Sequence, residues 1–125
     1  MSARQRICLM MIVRNEAHVI RRCLESVRPL IDHWAIVDTG STDGTPDVIR
    51  DCLRDLPGEV VEHPWQDFAH NRNQALELAR GHGDYLLTID ADEELLLEPG
   101  FELPELEAGA YSIEVRLSEY RYLRR

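Results

Sequence analysis

Asp90-Ala91-Asp92 places two carboxylates one residue apart. On an extended segment such residues point to the same side, so both side chains would reach one hard cation or a ligand beside it. Oxygen ligands of this kind suit Mn2+ or Mg2+, which keep coordination positions open for phosphate oxygens. An isolated pair would more simply be a solvated acidic turn running on into Glu93-Glu94. Position argues for chemistry, because the pair directly follows an apolar segment at residues 85–89.

A second candidate is Asp38, in Val37-Asp38-Thr39-Gly40-Ser41-Thr42-Asp43-Gly44-Thr45. The segment is not a Walker loop, since no G-K-[ST] follows, nor a dinucleotide fingerprint, since no G-x-G-x-x-G is present. Ordinary turn chemistry accounts for Gly40, Asp43, Gly44 and Thr45. It does not account for Asp38, because a carboxylate at a buried strand end needs hydrogen-bond donors. The base or ribose of a nucleotide is a candidate source of them.

The formal net charge is −9. A groove for DNA or RNA calls for a basic surface, so nucleic acid is excluded as a partner class. A diphosphate site in so acidic a chain needs a metal or well-placed arginines. Arg14, in Arg14-Asn15-Glu16, and Arg72, in Asn71-Arg72-Asn73, are the candidates, because a planar guanidinium matches phosphate oxygens. Either one alone would read as surface charge. His63, His70 and His82 read as structural or exposed, and no H-E-x-x-H spacing suggests zinc. Trp34 and Trp65 read as packing residues, with Trp65 in a loop able to border the site. Cys8, Cys23 and Cys52 are odd in number, lack C-x-x-C spacing and lie on apolar stripes, so buried, reduced thiols are expected.

These residues need elements to position them. Ile7 to Val13 is a continuous apolar run, the mark of a strand buried on both faces. Ile20, Cys23, Leu24 and Val27 recur at helical spacing, and Pro29 stops that helix. A short strand follows at residues 33–38. Thr45 is expected to cap a second helix with Pro46 at its first position, and Ile49, Cys52, Leu53 and Leu56 as its buried stripe, ended by Pro57-Gly58. A third strand is expected at residues 59–63. Asp67 should cap a third helix whose apolar face is Phe68, Ala75, Leu76 and Ala79, with Gly81 as its stop. A fourth strand covers residues 85–89. Residues 95–109 read as irregular, and 111–117 alternate as a fifth strand with one wet face. Strands alternating with helices imply a mainly parallel sheet in an α/β fold. Ligands of such sheets bind beyond the carboxyl ends of the strands, where strand order reverses. The ends of strands one, two and four carry Arg14-Asn15-Glu16, Asp38-Thr39-Gly40 and Asp90-Ala91-Asp92, so the unusual polar residues collect where the topology puts a site.

A chain of 125 residues fits one domain, with its core at residues 7–97 and residues 98–125 beginning a connection. Its 44% hydrophobic and 30% charged content is that of a globular protein, not of a disordered tail. The longest apolar run, Ile7 to Val13, is far too short to span a bilayer. No signal peptide is recognisable, so a cytoplasmic location is expected.

The ordered set Met11-Ile12-Val13-Arg14-Asn15-Glu16, then Val37-Asp38-Thr39-Gly40-Ser41-Thr42-Asp43, then Arg72-Asn73-Gln74-Ala75-Leu76, then Ile89-Asp90-Ala91-Asp92-Glu93, resembles the family 2 glycosyltransferases. The Val-Asp-Thr-Gly-Ser-Thr-Asp form is similar to the branch that includes bacteriocin peptide glycosyltransferases. The resemblance implies a three-layer, Rossmann-like GT-A fold, mainly parallel and ending before the acceptor half. It implies a nucleoside-diphosphate sugar donor, usually a UDP-sugar, a Mn2+ or Mg2+ ion, and inverting transfer to an acceptor that could be a peptide, a glycan or a lipid-linked group. It implies that Arg14, Asn15, Glu16, Asp38, Arg72, Asp90 and Ala91 bind the donor, and that Asp92 and Asp90 hold the metal. Thr39 stands where many members have a second aspartate, which weakens the case for uridine. No residue matches the family's catalytic base. A non-catalytic nucleotide-sugar-binding module therefore stays open. A haloacid-dehalogenase phosphatase is disfavoured, since the sequence contains no lysine. A nucleotidyltransferase is disfavoured as well, since Arg14-Asn15-Glu16-Ala17 is not a Gly-rich loop.

Overall fold

The computed structural model describes residues 6–96. The connection expected at 98–125 and the strand expected at 111–117 lie outside them. The elements run β1 (Ile7–Val13), α1 (Ile20–Val27), β2 (His33–Asp38), α2 (Thr45–Cys52), β3 (Gly58–Glu62), α3 (Phe68–Ala79) and β4 (Tyr85–Thr88). All the pairings are parallel, and the strand order is β3-β2-β1-β4. The chain thus builds outward from β1 through β2 to β3, then returns to the other side of β1. The reversal falls between β1 and β4.

Alternation along β1 divides the core in two. Ile7, Leu9, Met11 and Val13 pack with Ile20, Cys23, Leu24 and Val27 of α1 and with Ile49 and Cys52 of α2. Cys8 and Met10 face the other way, among Ala35, Val37, Ala75 and Ala79. The sheet is therefore the middle of three layers, with α1 and α2 on one face and α3 on the other. The alanines of α3 keep its axis close to the sheet. Ile20 and Leu24 are fully buried, and burial of each such side chain stabilises the fold by about 1.5–3 kcal/mol.

Several local expectations change. Thr45 is not the cap of α2 but its first residue; Gly44 caps it at φ 86°, a left-handed conformation that suits glycine. The Thr45 hydroxyl is committed to a neighbouring loop, described below, and so is not free to cap its own helix. Phe68, expected on the buried face of α3, is 61% exposed. The inward stripe is Asn71, Ala75 and Ala79, and the first turn of α3 projects past the carboxyl ends of the strands. Asp67 does cap that helix, its carboxylate accepting the His70 N–H at 2.8 Å. The fourth strand stops at Thr88, so Ile89 continues the buried side chains without ladder pairing. Trp34 packs as expected and donates its indole N–H to the Leu56 carbonyl at 3.0 Å. Trp65 does not pack; it is 52% exposed.

Candidate functional site

Two loops at the carboxyl ends of β1 and β2 are tied together by side chains. The Asn15 N–H donates to Ser41 Oγ at 2.8 Å, and Asn15 Oδ1 accepts the Thr42 N–H at 2.8 Å. The Glu16 N–H donates to Thr45 Oγ1 at 2.9 Å, and the Ala17 N–H donates to Asp43 Oδ2 at 3.1 Å. Thr45 Oγ1 in turn donates to Asp43 Oδ1. Asn15 adopts φ 52° to make these contacts, a left-handed conformation that asparagine tolerates better than most residues. The Thr45 hydroxyl holds the Asp43 carboxyl below its ordinary range; burial opposes this, and the Ala17 and Thr45 N–H groups add to it.

Asp38 belongs to the same lattice. Its Oδ1 accepts the N–H groups of Gly40 and Ser41 at 2.9 and 2.8 Å, and its Oδ2 accepts the Ser41 hydroxyl at 2.6 Å. The donors that a buried carboxylate needs come from its own loop, Gly40 and Ser41, rather than from the base or ribose of a nucleotide, the candidate source named above. The side chain is 1% exposed. It lines a small polar hollow of about 330 Å³ with Thr42, Asp47, Arg50 and Glu62, apart from the larger cavity.

That larger cavity, of about 740 Å³, opens at the reversal between β1 and β4. Its floor is the end of β1, with Arg14 and Glu16 beyond it, and its walls include Thr39, Trp65, Phe68, Arg72, Ile89, Asp90 and Glu93. Among the described residues, neither Arg14 nor Arg72 has an ion-pair partner, whereas Arg21, Arg28, Arg50, Arg54 and Arg80 each pair with an acid.

The acidic segment is a turn, not an extended strand end. The Glu93 N–H donates to the Asp90 carbonyl at 3.0 Å, and the Asp90 N–H donates to Glu93 Oε1 at 2.9 Å. Strand alternation therefore does not point Asp90 and Asp92 to a shared side; the turn sets the two directions. Asp90 lines the cavity. Asp92 is exposed, and its carbonyl accepts a hydrogen bond from the Arg22 guanidinium at 3.5 Å. Ala91 is buried in the core, so its backbone alone is available to a ligand. No group of three or more His, Cys, Asp or Glu side chains converges among the described residues. Two carboxylates are still a fitting donor set for a cation that takes its other oxygens from diphosphate and water. Their charge is felt nearby: burial first, then Glu93, Asp90 and Asp92, push the Cys23 thiol up to about 12.

Residues 8–99 match the profile of glycosyl transferase family 2. The chain belongs to this family. A TPR repeat-containing protein of Synechococcus elongatus is 41% identical over 103 residues, covering 82% of this chain and 24% of that protein. An uncharacterized glycosyltransferase of Rickettsia felis is 34% identical over 94 residues, covering 75% of this chain and 31% of that protein. The chain therefore spans about a quarter to a third of these relatives. Among solved structures, S. aureus TarS in complex with UDP matches with a TM-score of 0.59 at 21% identity, over 72% of this chain and 28% of that one. Glucosyl-3-phosphoglycerate synthase from Mycobacterium tuberculosis, in complex with Mn2+ and UDP-glucose, matches with a TM-score of 0.55 at 23% identity, over 72% and 34%. The fold is thus the α/β, GT-A arrangement of these glycosyltransferases.

Within this family 2 domain the sequence-derived candidates separate by position. Arg14, Glu16, Arg72 and Asp90 meet in the large cavity. Asp92 is exposed two residues from Asp90 and outside the cavity lining, while Asn15 joins the two loops, Asp38 holds its own loop and Ala91 belongs to the core. Trp65, expected in a loop able to border the site, lines the cavity, and so do Thr39, Phe68 and Glu93, which were not among the expected ligand residues. Thr39 and Glu93 adjoin recognised motifs, and Phe68 lies one helical turn before Arg72, a spacing that puts both on one side of α3.

Proposed function

We propose that this family 2 domain binds a nucleoside-diphosphate sugar, with uridine as the base, and presents it for inverting transfer to an acceptor. The observation that carries the proposal is the cavity at the β1/β4 reversal, which gathers two arginines without ion-pair partners and Asp90 around one space. Arg14 and Arg72 would bind diphosphate oxygens by charge-assisted hydrogen bonds. Glu16 would border the nucleoside, and Asn15 and Asp38 would serve by holding the wall that carries Arg14. Asp90 and Asp92 would hold Mn2+ or Mg2+. A divalent cation there supplies Lewis-acid stabilisation of the leaving diphosphate. The shared fold of TarS, solved with UDP, and of the synthase, solved with Mn2+ and UDP-glucose, supports the donor class. The acceptor is a peptide, a glycan or a lipid-linked group. Three free, buried thiols fit a cytoplasmic location, and no helix among the described residues is long and apolar enough to cross a membrane.

Thermal unfolding with Mn2+ and UDP-glucose or UDP-N-acetylglucosamine tests this. Saturation at about 100 times Kd stabilises the native state by ~2.7 kcal/mol, well above the detection limit. Asp92→Ala should remove the metal-dependent part of the rise. No rise with any nucleotide sugar, with or without metal, would sink the proposal. Hydrolysis of the donor by the purified chain separates an enzyme from a module that only binds.

A further inference from the structure

The two tryptophans are treated very differently by this fold. Trp34 is 4% exposed, and its indole N–H is bonded to Leu56. Trp65 is 52% exposed, and its indole makes no hydrogen bond among the described residues. Yet the backbone on either side of Trp65 is held by a buried clasp. Asn71 is fully buried; its Nδ2 donates to the Pro64 carbonyl at 3.1 Å, and its Oδ1 accepts the Gln66 N–H at 3.0 Å. A further donation to Gln74 Oε1 at 2.9 Å fixes the amide orientation. A buried amide requires partners, and this one takes them from the two peptide groups that flank Trp65. The fold thus spends a buried polar group to hold still a loop whose large apolar side chain faces solvent. Phe68, also exposed, stands three residues on, and both rings line the large cavity.

We propose that Trp65 and Phe68 form the platform on which the nucleobase of the donor stacks, and that Asn71 is the positioning residue that holds Trp65 there. The proposal rests on the donor-binding reading of the cavity. A nucleotide sugar offers one planar, weakly hydrated π face and one ring covered in hydroxyls. The cavity wall with Asp90 and Glu93 suits hydroxyls and a cation, whereas the α3 wall offers two aromatic faces with Arg72 beside them. Every base has a π face, so stacking supplies affinity for a base, and Arg72, beside the two rings, stays available to the diphosphate.

The test uses the full chain with three probes, all with Mn2+: pyrophosphate, UDP and UDP-glucose, measured by calorimetry. Trp65→Ala should raise the Kd of UDP and of UDP-glucose alike by about tenfold, the lower part of what one base on one ring supports. The Kd of pyrophosphate should not change. Trp65→Phe should restore UDP affinity. UDP should quench the fluorescence of the wild type but not of Trp65→Phe, because Trp34 is buried. Asn71→Ala should weaken UDP and abolish the quenching while pyrophosphate binding stays; Asn71→Ser, which keeps a polar group but is one bond too short to span Pro64 and Gln66, should do the same and covers the case in which alanine does not fold. Loss confined to UDP-glucose would mean that Trp65 faces the sugar and would overturn the proposal. Unchanged UDP affinity in Trp65→Ala would overturn it too. Failure of pyrophosphate and UDP alike to bind the wild type would instead refute the donor site itself.

Discussion

Replacing Thr45 with valine removes one buried hydroxyl and should unseat two loops at once. Thr45 is fully buried, and valine has nearly its shape, so packing is kept. What disappears is the acceptor of the Glu16 N–H, at 2.9 Å, and the donor to Asp43. A buried donor left without a partner costs about 1–3 kcal/mol; Glu16 is only half-buried, so ~1.5 kcal/mol is the working figure. For a chain of 125 residues, that lowers Tm by about 6 °C. The measurement is thermal unfolding by circular dichroism, with urea unfolding to check that the slope is unchanged. Thr45→Ser restores the hydroxyl and should recover most of the loss.

The same substitution carries a pH signature. Asp43 titrates below its ordinary value of 3.8, first because Thr45 donates to it. A carboxyl lowered in the folded state adds stability that is complete above the unfolded value and is lost as pH falls through the folded one. Thr45→Val should therefore move the Asp43 titration, followed by NMR, upward towards 3.8. A variant that melts within about 2 °C of the wild type, the range of a neutral surface change, and leaves Asp43 where it was would refute the lattice argument.

Two further outcomes follow from the packing. Gly58→Ala should destabilise by about 1–3 kcal/mol, the range for overpacking, because a Cβ there would stand 2.4 Å from the Trp34 side chain and carbonyl; urea unfolding reads this directly. Burial pushes the Cys8 thiol up to about 11 and Cys23 to about 12, and raises Cys52 as well. All three should stay protonated and unreactive towards a disulfide reagent at pH 8 in the native protein, and react once urea unfolds it.

The layered fold was legible because hydrophobic period tracks element type. The run Ile7–Val13 is apolar on both faces because helices cover both sides of the sheet, and Ile20, Cys23, Leu24 and Val27 fall on one helical face. The location of the site was legible for the same reason, since parallel strands bring their carboxyl ends to one edge. What sequence could not reveal was how each polar side chain is spent there. Asp38 and Asn15 read as ligand residues, yet Asp38 closes a local turn onto Gly40 and Ser41, two and three residues on, and Asn15 bonds Ser41 and Thr42 across 26 and 27 residues. Asp90 and Asp92 read as neighbours on a strand, yet the Asp90–Glu93 turn separates their surroundings. Phe68 is apolar, so pattern alone sends it to the core, whereas Trp65 reads as a packing residue in a loop able to border the site; both line the cavity, Phe68 from the first turn of α3 and Trp65 from the loop before it.

Charge placement explains how a chain of net charge −9 can hold a diphosphate. Five arginines away from the cavity, Arg21, Arg28, Arg50, Arg54 and Arg80, are paired at the surface, where such pairs contribute little to stability but cancel charge locally. Arg14 and Arg72 are left without ion-pair partners among the described residues and line the cavity. Asp90 and Glu93 line the same cavity and would repel a bare diphosphate. Two like charges about 4 Å apart cost ~4 kcal/mol at the effective dielectric of a protein surface, close to the attraction that one arginine returns at the same distance. The arginines therefore offset the carboxylates and leave little over for the ligand. On the proposed reading, a divalent cation held by Asp90 and Asp92 would turn that repulsion into attraction, so donor binding in this domain should depend on metal much more than on either arginine. Arg72→Ala should weaken UDP measurably in the presence of Mn2+, whereas chelation should abolish binding.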